Sequence, residues 1–220
     1  MAKVTAPILS MRARGQIGKS QVYASWRGVP YARQLVTPAN PRSAEQMLTR
    51  NTFAVLQNLW KRLGALSTAP WTAFSTGRPF TNRNAFSGQN VRALRGQEDL
   101  ADYIGSPSAK GGVAPLAVSA EATSDPGEIE VTITSPPAPT GWTLQSAVAF
   151  AMQNGAPNAD IPNPIQEAEN NTPNVGGDTV VTLTGLTSSV EHVVSAWLVW
   201  MKPDGSTAYG ASLNDTATPL

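Results

Sequence analysis

No cysteine occurs in the 220 residues, which excludes disulfides, thiolate zinc sites, iron–sulfur clusters and a cysteine nucleophile. Histidine is nearly absent too: His192 stands alone, so no multi-histidine metal site can form within one chain. Charged residues make up 14% of the sequence. No stretch approaches the roughly 18 apolar residues that span a bilayer. At the N-terminus the short apolar patch Ala6–Leu9 is followed by Arg12 and Arg14, without the longer apolar core of a secretory signal. The expectation is a soluble protein made in the cytoplasm, free of membranes and held together by packing or assembly.

What charge there is falls unevenly. Through Lys110 there are 15 Lys and Arg against four acids, Glu45, Glu98, Asp99 and Asp102, a net of 15 − 4 = +11. Beyond it Lys202 faces 11 acids, 1 − 11 = −10. A split of this size points to one module that meets an anionic partner and another that stays exposed, and it favours binding over catalysis. A length of 220 residues with 41% apolar content, 18 Gly and 18 Pro suits two small, turn-rich domains.

Local patterns divide the chain accordingly. From Gly15 to Thr37, Val22, Ala24 and Trp26 alternate with polar neighbours, Arg27-Gly28 supplies a turn, and Val29, Tyr31 and Leu35 resume the alternation. This predicts a basic, aromatic β-hairpin. Pro38 and Pro41 break it. Ser43 with Gln46 forms a capping box, and Phe53, Leu56, Trp60 and Leu63 recur at helical spacing, predicting a helix over 43–63 that stops at Gly64. Thr68, Pro70, Trp71 and Phe74 predict a second helix capped by Thr68, with Pro70 in its first turn and Gly77 at its end. Phe86, Val91 and Leu94 mark a third. The Ser/Gly/Pro-rich stretch 105–114 reads as a flexible linker. After it the period becomes two: Leu116/Val118/Ala120, Ile129/Val131/Ile133, Trp142–Met152, Val181/Leu183, Val193–Val199 and Thr207–Leu213 predict six or seven strands. The expected organisation is therefore an α+β module over 1–104, a linker over 105–114 and an acidic, all-β sandwich over 115–220.

Two resemblances sit on these residues. Val180–Leu186, His192, Val193–Trp200 and Lys202-Pro-Asp-Gly205 resemble the end of a fibronectin type III domain, with His192 where that family has its corner tyrosine. This implies a fibronectin III-like or immunoglobulin-like sandwich. Gly15–Ser20, Trp26–Arg33, Pro38–Arg42, Gln46, Arg50, Phe53 and Trp60 resemble an N-terminal pattern of tailed-bacteriophage and prophage structural proteins over roughly residues 12–95. That resemblance implies a non-enzymatic virion structural protein located in the virion. A capsid decoration or cement protein comes first and a neck or tail accessory second. The expected partners are other virion proteins of a capsid or tail lattice and further copies of the chain, with weak host-surface contact through the sandwich. A DNA-binding or packaging-associated role on the same basic face is one alternative, and a carbohydrate-binding adhesion module presenting Trp142, Trp197 or Trp200 is the other.

The residues expected to dock are Lys19, Arg27, Tyr31, Arg33, Arg42 and Arg50, with Lys61, Arg62, Arg78, Arg83, Arg92 and Arg95 on the polar faces of the helices as a phosphate-tracking face in the nucleic-acid alternative. No catalytic, cofactor-binding or metal-ligating residue is expected. Gly18-Lys19-Ser20 lacks the glycine of a phosphate loop at position 13, which is Ala. Glu128 and Glu130 read as a solvated strand face. Asp160, Glu167 and Glu169 lie in a Pro/Asn-rich loop. His192 reads as a packed residue at a strand start.

Overall fold

The computed structural model describes residues 3–4, 13–26, 29–37, 39–158 and 162–220. The chain divides into two compact units, Met1–Arg42 and Ser43–Leu220. The division thus lies some sixty residues before the expected linker. It also sharpens the charge split: the first unit holds seven basic residues (Lys3, Arg12, Arg14, Lys19, Arg27, Arg33, Arg42) and no acid, which leaves nine basic and 15 acidic residues, a net of −6, in the second.

The first unit is a four-stranded antiparallel meander, β1 (Lys3–Val4), β2 (Ala13–Ile17), β3 (Gln21–Trp26) and β4 (Val29–Gln34), in that order across the sheet. The expected hairpin is its β3–β4 pair. Trp26 pairs with Val29, the register a two-residue loop imposes; the loop itself, Arg27-Gly28, lies outside the described residues. Gly18, at φ +57°, lets the chain reverse between β2 and β3. Leu35 N–H donates to Ser20 O at 2.8 Å, so odd-numbered residues of β4 point their amides at β3 while Ala32 and Gln34 turn theirs to the free edge. Pro30 falls on that edge, where a missing N–H breaks no ladder.

The second unit is mixed α+β and has three layers. Its helices are α1 (Ala44–Trp60), α2 (Ala65–Ser75) and α3 (Asn82–Leu94). A five-stranded antiparallel sheet joins β7 (Thr143–Gln153), β8 (Ile165–Asn170), β10 (His192–Met201), β11 (Thr207–Tyr209) and β12 (Leu213–Ala217), with β10 at its centre pairing β7 on one side and β11 and β12 on the other. A three-stranded antiparallel sheet runs β5 (Ala117–Ala122), β6 (Ile129–Thr134), β9 (Asp178–Leu183). No helix among the described residues is long and apolar enough to cross a membrane.

The middle sheet explains the composition of β7. Ala147, Ala149 and Ala151 point to the smaller sheet and share a core with Ile129, Val131, Ile133, Val194, Leu198 and Trp200. Val148, Phe150 and Met152, on the other face, meet Leu56, Leu59, Trp71, Phe86, Tyr103 and Trp197 under the helices. A strand buried on both faces loses the apolar–polar alternation of a half-solvated one, and small residues let the facing sheet approach. Edge-to-face rings, Trp71–Phe86 at 5.4 Å and 85° and Phe86–Tyr103 at 6.1 Å and 66°, fix the helix layer.

Several local expectations are corrected. Ser43 caps α1 as predicted, its Oγ accepting from Gln46 N–H at 3.4 Å, but the buried stripe is Thr52, Val55, Leu56 and Leu59. Phe53 is 49% exposed. Gly64 does not stop α1; it is the N-cap of α2, so Pro70 lies inside that helix rather than in its first turn. Segment 105–114 is no linker. Gly105 N–H donates to Ser212 Oγ and its carbonyl accepts from Trp71 Nε1 at 3.0 Å. Ser106 Oγ donates to Gly210 O at 2.7 Å, Ala109 and Tyr209 exchange backbone bonds, and Val113 O accepts from Trp200 Nε1. The stretch is a strap sewn to the second unit, and at Gly105 and Gly112 a larger residue does not fit. A Cβ on Gly105 would overlap Ser195 Oγ and come within 3.1 Å of Trp197.

Candidate functional site

The expected docking residues do not form one cluster. Lys19 is exposed in the β2–β3 turn, Arg42 is the exposed last residue of the first unit, and Arg50 is exposed on α1 of the second unit. Arg27 lies outside the described residues. Tyr31 and Arg33 do come together. Two residues apart on β4, they share one face of the sheet, and their register partners on β3, Ala24 and Val22, lie on that face beside them. Tyr31 is 42% exposed and Arg33 is exposed, while Val22 and Ala24 are half-buried. Across the whole unit no described side chain is buried. The described residues of this sheet thus contribute little apolar burial of their own to offset its ordering entropy.

Three of the helical arginines make contacts within the second unit. Arg62 donates to Pro162 O at 3.1 Å and Asn163 Oδ1 at 2.6 Å. The Arg78 guanidinium stacks 3.9 Å above Phe74, and Arg95 lies 3.6 Å from Glu45. These groups hold the unit's own elements together, which leaves less positive charge for an outside ligand than the sequence count suggests.

Two tryptophans of the carbohydrate alternative are inside. Trp197 and Trp200 are fully buried on opposite faces of β10, and Trp142 packs against the inter-sheet core with Lys202 Nζ 5.2 Å from its ring. Trp197 and Trp200 therefore have no open ring face to stack on a sugar, and Trp142 is half-buried. His192 is also buried. Its Nδ1 lies 2.7 Å from Val190 O, so the neutral ring donates there, and burial holds its pKa below the usual histidine value.

The acids fall into two arrangements that sequence reasoning missed. Glu167 is on strand β8, not in a loop, and its carboxylate accepts from Ser67 N–H at 3.0 Å and Ser67 Oγ at 2.7 Å. It caps the N-terminus of α2, which has no side-chain cap of its own, and it occupies the space that a Cβ on Gly64 would take. Asp160 lies outside the described residues. On the smaller sheet, Glu130 is exposed directly opposite Glu121. No sequence signal pointed to this pair, because β5 and β6 are joined by residues 123–128, longer than the two-residue loop that fixes a register. Among the described residues, no three His, Cys, Asp or Glu side chains gather as a metal site. An open groove of about 700 Å³ beside Asp102, Ser106, Ser108, Ser212 and Asn214 has its one carboxylate already accepting from Gln97 Nε2 at 2.7 Å.

No protein-family model matches the chain, and no curated protein does. Among solved structures, a family 76 glycoside hydrolase from a bovine Bacteroides thetaiotaomicron strain is similar over 48% of this chain and 20% of its own, at 14% identity and a TM-score of 0.33. The match spans one fifth of that enzyme.

Proposed function

We propose that the chain is a non-enzymatic structural protein of a tailed-phage virion, a capsid decoration or cement protein, docked through its first unit and displaying its second. The observation that carries this reading is the first unit itself: a four-stranded sheet with seven basic residues, no acid and no buried described side chain. Such a sheet gains its stability from a partner surface, and its charge selects an acidic one. Tyr31 and Arg33 are the residue types that carry binding energy in protein interfaces, and the free edge of β4 offers the Ala32 and Gln34 amides for strand addition. The second unit has cores on both sides of its middle sheet and keeps most of its described acids exposed, as suits a displayed body. Its two sheets around one core are read as a fibronectin III-like or immunoglobulin-like sandwich, to which the helices add a third layer. The resemblance of residues 12–95 to phage structural proteins supplies the virion context.

The test is immunogold electron microscopy of particles with antibody to residues 115–220, beside co-sedimentation of the added protein with particles. Regular labelling of heads is expected, and labelling confined to the neck or tail would move the protein to that lattice. The double variant Tyr31→Ala, Arg33→Glu should lose co-sedimentation. Particles that stay unlabelled, with the protein released alongside DNA and freed from it by modest salt, would overturn the reading in favour of phosphate binding.

A further inference from the structure

We propose that the outward face of the β5–β6–β9 sheet is the receptor for the basic sheet of a second copy of this chain, so that copies join head to tail. The inference rests on the reading of the first unit as a docking module and names its partner.

The face is defined by register. Its three rows are Glu121–Glu130–Thr182, Ser119–Thr132–Val180 and Ala117–Thr134–Asp178. Ile129, Val131, Ile133, Val181 and Leu183 all turn the other way, into the core, so the rows form one continuous outer surface. It carries three exposed acids and a 41% exposed Val180, and the three strands contain no Lys or Arg. Thr134 Oγ1 donates to Asp178 at 2.6 Å, whereas Glu121 and Glu130 face each other with no cation beside them on the sheet. Like charges directly opposite on adjacent strands oppose folding. A sheet retains such a pair at little cost when a cation from elsewhere settles between the two carboxylates.

The first unit presents a matching surface. Arg33 and Tyr31 are two residues apart on one strand, a step of about 6.6–6.8 Å, and the rows of Glu130 and of Thr132–Val180 are separated by the same step. Arg33 laid across the glutamate pair therefore brings Tyr31 over Ser119 and Thr132 in the next row, with Val180 on the neighbouring strand and with Val22 and Ala24 beside them. Charges of +7 and −6 on the two units favour encounter between unlike units and oppose it between like ones. Since donor and receptor surfaces differ, the contact is heterologous, and repetition yields a ring or a string.

The experiment is sedimentation velocity of the full chain over about a hundredfold concentration range, at low and moderate salt. Concentration-dependent association is expected. Arg33→Glu and Glu130→Lys should each weaken it by about tenfold or more. An equimolar mixture of the two variants should restore it, because the glutamate introduced on β4 of one copy then meets the lysine introduced on β6 of the next. Glu130→Lys also places a lysine opposite Glu121, so its melting temperature should hold or rise; loss of association in a variant that folds better cannot be a folding defect. A wild-type chain that stays monomeric throughout, or an association indifferent to both substitutions, would overturn the inference. A monomer that still co-sediments with particles would sink this inference alone, and self-association without particle binding would sink the virion reading alone.

Discussion

The strand pair β3–β4 of the first unit and the pair β7–β10 of the second are both antiparallel and both rich in apolar and aromatic residues, but β4 is the edge of its sheet whereas β7 and β10 lie inside theirs. In the second unit each face of the pair is covered, one by helices and one by a sheet, so Trp197, Phe150 and Leu198 are fully or almost fully buried. In the first, the pairing leaves Tyr31 and Arg33 in the open and buries none of the described side chains. Pattern alone therefore states which residues could form a core. Whether they do depends on what else the chain, or another chain, brings to the face.

Breaking the covered pair should have the largest effect. Trp197→Ala removes a fully buried indole from under the helices and should cost about 3–5 kcal/mol, read by denaturant unfolding, whereas Tyr31→Ala should stay within about 0.5 kcal/mol. Equal losses at both positions would abolish the contrast. Next comes the strap. Gly105→Ala forces a methyl group against Ser195 and Trp197 and should cost about 1–3 kcal/mol; an unchanged melting temperature would return 105–114 to the status of a linker.

A smaller effect tests how the helix layer is tied to the middle sheet. Glu167→Ala should cost about 1 kcal/mol by uncapping α2, and adding Gly64→Ser should recover part of it, since the serine gains both a capping hydroxyl and the space the glutamate leaves. Losses that simply add would argue against the cap. The gentlest perturbation is pH. Because burial lowers the folded-state pKa of His192, the unfolded chain takes up the proton first. The contribution from the neutral ring is complete above about pH 6.5 and is lost as pH falls from there toward the folded-state value. His192→Gln should flatten that acid-side loss in thermal melts taken between about pH 7 and 5.

The elements legible from sequence are those whose causes are local. Ser43 and Gln46 lie within one turn, and the β3–β4 hairpin follows from alternation around a two-residue loop. Strand β8, Ile-Gln-Glu-Ala-Glu-Asn, was hidden because an edge strand flanked by Pro and Asn has no apolar pattern to show. The strap was hidden because glycine, serine and proline are the composition of a solvated linker and equally of a segment pressed against a core. Among the candidate site residues, Tyr31 was legible as a member of the alternating strand, whereas Arg33, expected on its polar positions, shares Tyr31's face, and Glu121 joins Glu130 only through the register of β5 and β6.

Sequence by itself determined the charge split, the absence of thiol chemistry, the capped start of α1 and the β3–β4 alternation, because each depends on residue identity or on neighbours a few positions away. Tertiary structure decided that the chain divides at Arg42, that 105–114 is a strap hydrogen-bonded to the second unit, that Glu167 caps a helix 100 residues distant and that two glutamates stand side by side. Those outcomes depend on which distant surfaces exclude water from one another, and packing of that kind is a property of the whole fold.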